Sequence, residues 1–192
     1  MMERKIKILI LIFLPFLLIL PIAKSESVVG ETTTIPFYPN QRAICKDSSG
    51  NLHVVWLYNY TAIYYAKSSD GGISWNVNTS FYGGTSSPTS TKATPSISCD
   101  GNNITIAYED VTADNLIIAI SEDNGATWNF KVPRTSCVDS NVVVERRGQR
   151  IYVVYQTPAQ EECGDRDIRF FNSSDGGNTW GSDIIIFNGF YS

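Results

Sequence analysis

The chain has 192 residues and a formal net charge of −4, with 18% charged, 43% hydrophobic and 12% aromatic residues. That is enough apolar material for a packed core and too little charge for a disordered polyelectrolyte. No basic patch stands out, which sets nucleic acid aside as a partner.

The N-terminus is basic, with Arg4, Lys5 and Lys7, and an apolar run over residues 8–23 follows, interrupted by Pro15 and Pro21. Ala23 and Ser25 then place small residues at −3 and −1 of a cut before Glu26. This layout is that of a secretory signal peptide over residues 1–25. The alternative is a membrane anchor formed by residues 8–23, although a comfortable span takes about 20 residues. The expected location is therefore outside the cell or on its surface. Cleavage would remove four basic residues and one acidic residue, shifting the net charge from −4 to −7. Residues 26–40 read as an N-terminal extension.

Three similar units follow, over residues 41–80, 95–132 and 139–187. In the first, strands are expected over 42–46, 52–58 and 62–67, with a turn cluster at 47–51 and a fourth strand from Trp75. A Gly-, Ser- and Thr-rich connection, 81–94, leads to the second unit, where Ile104-Thr105-Ile106-Ala107-Tyr108 matches Leu52-His53-Val54-Val55-Trp56. In the third, strands are expected over 141–145, 150–156, 168–172 and 180–187, with a turn at Arg146-Arg147-Gly148. Its loop 157–167 is the longest and most acidic of its kind. No helical periodicity follows the apolar leader.

Each unit carries the same turn between its third and fourth strands: S-x-D-x-G-x-[S/T]-W. The copies are Ser68, Asp70, Gly72, Ser74, Trp75; then Ser121, Asp123, Gly125, Thr127, Trp128; then Ser173, Asp175, Gly177, Thr179, Trp180. The aspartates are spaced 53 and 52 residues apart, a period typical of propeller blades. Ser and Asp side chains accept bonds from backbone N–H groups just after them, and the glycines suit a positive φ. The Trp offers a large apolar wedge for the neighbouring unit.

Cys45, Cys99, Cys137 and Cys163 all lie after the leader, and an even count in an oxidising compartment favours two disulfides. Three connectivities are open; the favoured set is Cys45–Cys99 between the first two units and Cys137–Cys163 within the third. No cofactor is expected, and no spacing suggests a metal. His53, the single histidine, reads as a surface or packed strand residue rather than a ligand. Asn59, Asn78, Asn103 and Asn172 head N-glycosylation sequons.

The repeated turn resembles the Asp-box of the sialidase-like β-propellers, the bacterial neuraminidase repeats, over residues 41–187. The resemblance implies an all-β propeller of four-stranded antiparallel blades, about three of them present. In that family the Asp-box marks the fold and lies away from the active site, and six blades close the ring. Three blades alone leave open faces, so the expectation is either part of a longer chain or pairing of two copies as a homodimer.

Sialidases of that family use three arginines on the substrate carboxylate, an Asp as acid/base and a Tyr–Glu nucleophile pair, outside the two-carboxylate scheme. Guanidinium groups suit this because they meet a carboxylate bidentately. Arg42 falls where the first family arginine lies, but in Gln41-Arg42-Ala43-Ile44 without the Arg-Ile-Pro motif; a strand-edge surface role is the alternative. The loop that carries the family's acid/base is Tyr58-Asn59-Tyr60-Thr61 here, with no carboxylate. Glu109, Asp110 and Asp114 fill that place in the second unit, and Glu161, Glu162, Asp165 and Asp167 in the third; they read as solvated loops, with acid/base or cation chemistry as the alternative. The tyrosines read mostly as packing, with one or two available to sugars. Two functions follow. One is an incomplete, non-catalytic propeller binding glycans or cell-surface proteins. The other is the N-terminal part of an exo-sialidase-type glycoside hydrolase.

Overall fold

The computed structural model describes residues 42–79, 81, 93, 95–138, 141–163 and 166–189. The leader, the extension and most of the 81–94 connection lie outside the described residues. Twelve strands form three four-stranded antiparallel sheets. The first contains β1 (Ile44–Lys46), β2 (Leu52–Tyr58), β3 (Ala62–Ser68) and β4 (Asn76–Asn78). The second contains β5 (Ser96–Asp100), β6 (Asn103–Asp110), β7 (Asn115–Ser121) and β8 (Asn129–Arg134). The third contains β9 (Val143–Arg147), β10 (Arg150–Gln156), β11 (Ile168–Ser173) and β12 (Ile184–Phe187), with a one-turn 3-10 helix at Glu161–Cys163. Strands pair strictly in sequence order within each sheet. These are the blades of a β-propeller.

Packing explains the strand sequences. Val55, Leu57, Ile63 and Tyr65 of the first blade close on Ile104, Ile106, Tyr108 and Ile117 of the second. The other face of the second blade, with Ala107, Leu116, Ile118 and Ile120, closes on Ile151, Val153, Tyr155 and Phe171 of the third. The middle blade is therefore covered on both faces. Its β6 and β7 are buried at nearly every position, whereas β10 alternates buried with partly exposed residues. A sheet covered on both sides needs continuous apolar sequence; one covered on one side needs only a period of two.

Arg146-Arg147 is not a turn. Both belong to β9, and Arg146 is fully buried. Its Nε donates to the Gly148 carbonyl at 2.9 Å, and its Nη2 lies 3.4 Å from Glu122 of the second blade. The turn tightens to Gly148-Gln149 because Gly148 takes a φ of 57°. The strand expected over 180–187 shortens to Ile184–Phe187.

Both favoured disulfides form. Cys45–Cys99 ties inner strands β1 and β5 of adjacent blades, and Cys137–Cys163 ties the segment after β8 to the loop between β10 and β11. Two disulfides fit an oxidising compartment. No helix among the described residues is long and apolar enough to cross a membrane.

Candidate functional site

The three S-x-D-x-G-x-[S/T]-W turns have one geometry. Each Ser Oγ accepts the Gly N–H at 2.8 Å, at Gly72, Gly125 and Gly177. The same hydroxyls donate to the Asp Oδ1 at 2.8–2.9 Å. The hydroxyls of Ser74, Thr127 and Thr179 donate to the other Asp oxygen at 2.6 Å. These hydroxyl bonds, joined by backbone N–H bonds from the same residues, hold the carboxyls of Asp70, Asp123 and Asp175 down to about 2. The indoles of Trp75 and Trp128 donate to the Gly72 and Gly125 carbonyls. The aspartates therefore spend their acceptor capacity on the turn itself and are poorly placed as bases. Trp128 wedges against Tyr65 of the first unit and Phe81 just after it, while Trp180 packs on Phe171 of its own blade.

Antiparallel order puts the β1–β2 and β3–β4 turns of each blade at one end, and the β2–β3 loops at the other. Between these ends, the first strands of the blades lie side by side. There a polar cluster spans all three blades. Arg42 forms an ion pair with Glu145 through Nη1 and Oε2, and the same oxygen accepts from the Ser98 hydroxyl at 3.1 Å. Arg147 meets the other oxygen at 2.9 Å. The Arg42 side chain is 50% exposed and that of Glu145 31%. Ser98 Oγ also accepts the Arg146 N–H at 3.0 Å, which locks the second and third blades. Arg42 thus sits at the inner edge, but on a carboxylate of its own chain. This partner lies 103 positions away, and no local pattern announced it.

Glu162 is exposed as expected, but most of the other described carboxylates of the acidic loops are not solvated. Glu109 and Asp110 are buried at the end of β6. Asp110 accepts the Ala113 N–H at 3.2 Å. Asp114, at φ 52°, accepts the N–H groups of Cys137 and Val138 at 2.8 and 3.0 Å. Asp167 is buried, takes Arg169 at 3.2 Å and accepts the Gly189 N–H at 3.1 Å. Asp110, Asp114 and Asp167 hold loops in place because orphan N–H groups beside the disulfide and the chain crossings need acceptors. Asp165 lies outside the described residues.

His53 is the buried polar centre of the first blade. Its Nε2 lies 3.0 Å from Asp47 Oδ2, and its Nδ1 lies 2.7 Å from the Tyr65 hydroxyl. A carboxylate only accepts, so Nε2 carries the proton; Nδ1 then accepts from Tyr65. Every member is satisfied with a neutral imidazole. Burial lowers the His53 pKa against the pull of Asp47, and burial together with Asp47 raises that of Tyr65. The strand pattern carried the signal: His53 shares its face with Val55 and Leu57, the core face. Its partners, 6 and 12 positions away, come only from the fold.

No protein-family model matches the sequence, and no curated protein matches it. Solved structures do. The α-L-arabinofuranosidase of glycoside hydrolase family 93 from Fusarium graminearum, solved with arabinobiose, is 13% identical with a TM-score of 0.55, covering 77% of this chain and 49% of its own. YCF48 from Cyanidioschyzon merolae is 12% identical with a TM-score of 0.51, covering 72% and 38%. The Hadza microbial sialidase Hz136 is 17% identical with a TM-score of 0.50, covering 72% and 36%. The chain thus spans about half or less of the length of these structures. At such identities the likeness is one of fold: this chain is built as a β-propeller.

Proposed function

We propose that this protein is an exported propeller that binds glycans, or proteins, at the cell exterior and does not carry a complete catalytic set in this chain. The observation that supports binding over catalysis is the pairing at the inner edge. Glu145 receives donors from Arg42, Ser98 and Arg147, so neither the carboxylate nor Arg42 is free to act alone. The first-blade loop has no acid, Glu109 is buried, and Asp110 and Asp167 are buried and accept backbone N–H groups of nearby segments. Fold relatives that act on glycans, the arabinofuranosidase and the sialidase, favour glycans as the ligand class. Export rests on the leader layout and the two disulfides. The S-x-D-x-G-x-[S/T]-W residues serve the architecture in this reading.

A glycan array, run with fluorogenic sialoside and arabinofuranoside hydrolysis, tests the reading. Binding without turnover is the expected result. Turnover that disappears in Arg42→Ala overturns it and favours the second reading, the N-terminal part of an exo-sialidase-type hydrolase, for which the half-exposed position of Arg42 at the inner edge speaks.

A further inference from the structure

Among the described residues, the turn end holds a cleft at each of the two junctions between blades. The first, of about 410 Å³, is lined by Tyr65, Lys67, Asn76 and Asn78 of the first blade and by the Asn124–Ala126 part of the second blade's turn. The second, of about 300 Å³, is lined by Glu122, Thr127, Trp128 and Asn129 of the second blade and by Gly176 and Asn178 of the third. They occupy equivalent places in the repeat. Asn76 and Asn129 each follow the turn's tryptophan, and each cleft is closed by the turn of the next blade. Such volumes stand at the lower end of the range of about 300–1,000 Å³ for small-ligand sites.

We infer that these two clefts are equivalent binding sites for a neutral sugar unit of a glycan. The inference rests on the glycan reading above and assigns its place. Each cleft offers amide side chains, which both donate and accept, and the second adds the partly exposed ring of Trp128. The amides suit vicinal hydroxyls in both clefts, and Trp128 gives an apolar C–H face a partner in the second. The charges argue for neutrality. Lys67 in the first cleft is engaged on the Asn124 carbonyl at 2.8 Å, and Glu122 in the second lies 3.4 Å from Arg146. A ligand common to both meets a cation in one and an anion in the other, so a charged sugar would be repelled from one of them. One acceptor waits at the first cleft: Asn124 Oδ1 is buried without a hydrogen-bond partner. The backbone holds that residue at φ 63°, with its N–H on the Asn102 carbonyl at 3.0 Å. A buried acceptor left empty is costly, and a sugar hydroxyl supplies the missing donor.

The test is calorimetric titration of the disulfide-intact protein with arabinobiose, lactose and maltose, alongside Asn76→Ala, Asn129→Ala and the double variant. Two equivalents of at least one probe should bind. Each single variant should remove one equivalent, and the double variant should weaken binding at least tenfold with an unchanged melting curve. Asn129→Ala alone should abolish the ligand-induced change in Trp128 fluorescence. Should an alanine variant fail to fold, Asn→Gln at the same position displaces the amide while keeping its chemistry. If glycans bind the double variant as well as the parent, the clefts are not the site, while the glycan reading survives. If no glycan binds the parent on the array or in solution, both fall.

Discussion

The Tyr65 hydroxyl of the first blade occupies the space that a side chain on Gly125 of the second would need. That hydroxyl is also the one His53 holds at 2.7 Å. The repeated turn of one blade therefore closes on a buried hydrogen-bonded chain, Asp47–His53–Tyr65, in the blade before it. Gly125 has a φ of 79°, so it is glycine for two reasons at once: a left-handed backbone and a neighbour already in place.

Gly125→Ala is expected to destabilise more than the equivalent Gly72→Ala. At Gly72, with a φ of 93°, the nearest atom to an added Cβ is 3.7 Å away. That change meets only the backbone cost, about 1–2 kcal/mol. Gly125→Ala adds overpacking against Tyr65, a further ~1–3 kcal/mol. Urea midpoints of the two variants check the order; equal losses would mean that Tyr65 moves aside freely.

Stability should fall as pH drops below about 6.5. Burial holds the His53 pKa below its ordinary 6.5. The unfolded chain thus takes up the proton first, and stability drains until the folded imidazole titrates too. Asp47 adds a second, lower window. Burial raises its pKa, but bonds from His53 and Asn51 outweigh that and leave it below 3.8. Its contribution is present above 3.8 and is lost as pH falls through its folded value. His53 is the single histidine, so urea midpoints that stay flat between about pH 7.5 and 5 contradict the assignment. His53→Asn should remove that slope and lower stability at all pH values by about 1–3 kcal/mol.

Each disulfide should stabilise according to the loop it closes. Cys45–Cys99 spans 54 positions and Cys137–Cys163 spans 26. Chain entropy gives about 4 kcal/mol for the first and about 3.5 kcal/mol for the second, as upper values. Paired Cys→Ser variants measured by denaturant unfolding should show the larger loss for Cys45–Cys99. It also joins two blades, so its loss should expose the Trp128 contact to quenchers more than loss of Cys137–Cys163 does.

The turn aspartates should stay ionised in acid. Carboxyl titration of Asp70, Asp123 and Asp175 by NMR should give values of about 2. Thr127→Val removes the hydroxyl that donates to Asp123 at 2.6 Å and should raise that value alone. An unmoved Asp123 would mean that the backbone bonds suffice.

Much of this fold was legible in the chain. Spacing of the S-x-D-x-G-x-[S/T]-W turn, with β-forming strands around it, specifies four-stranded blades, because those turns satisfy themselves within eight residues. The count of four cysteines left three pairings open, and the favoured one is the one that forms. Local patterns with local partners are what a sequence displays.

What only the tertiary structure decided are pairings across blades. Arg146 looked like a turn residue because two arginines before a glycine usually face water. It is buried because Thr105, Glu122 and Gly148 surround its guanidinium. Glu109, Asp110 and Asp167 looked solvated for the same reason, and Arg42 gave no sign of Glu145. The energy of a polar side chain depends on which donors and acceptors stand within about 3 Å of it. When those come from 41 or 103 positions away, composition and spacing are silent and the packing of the blades decides.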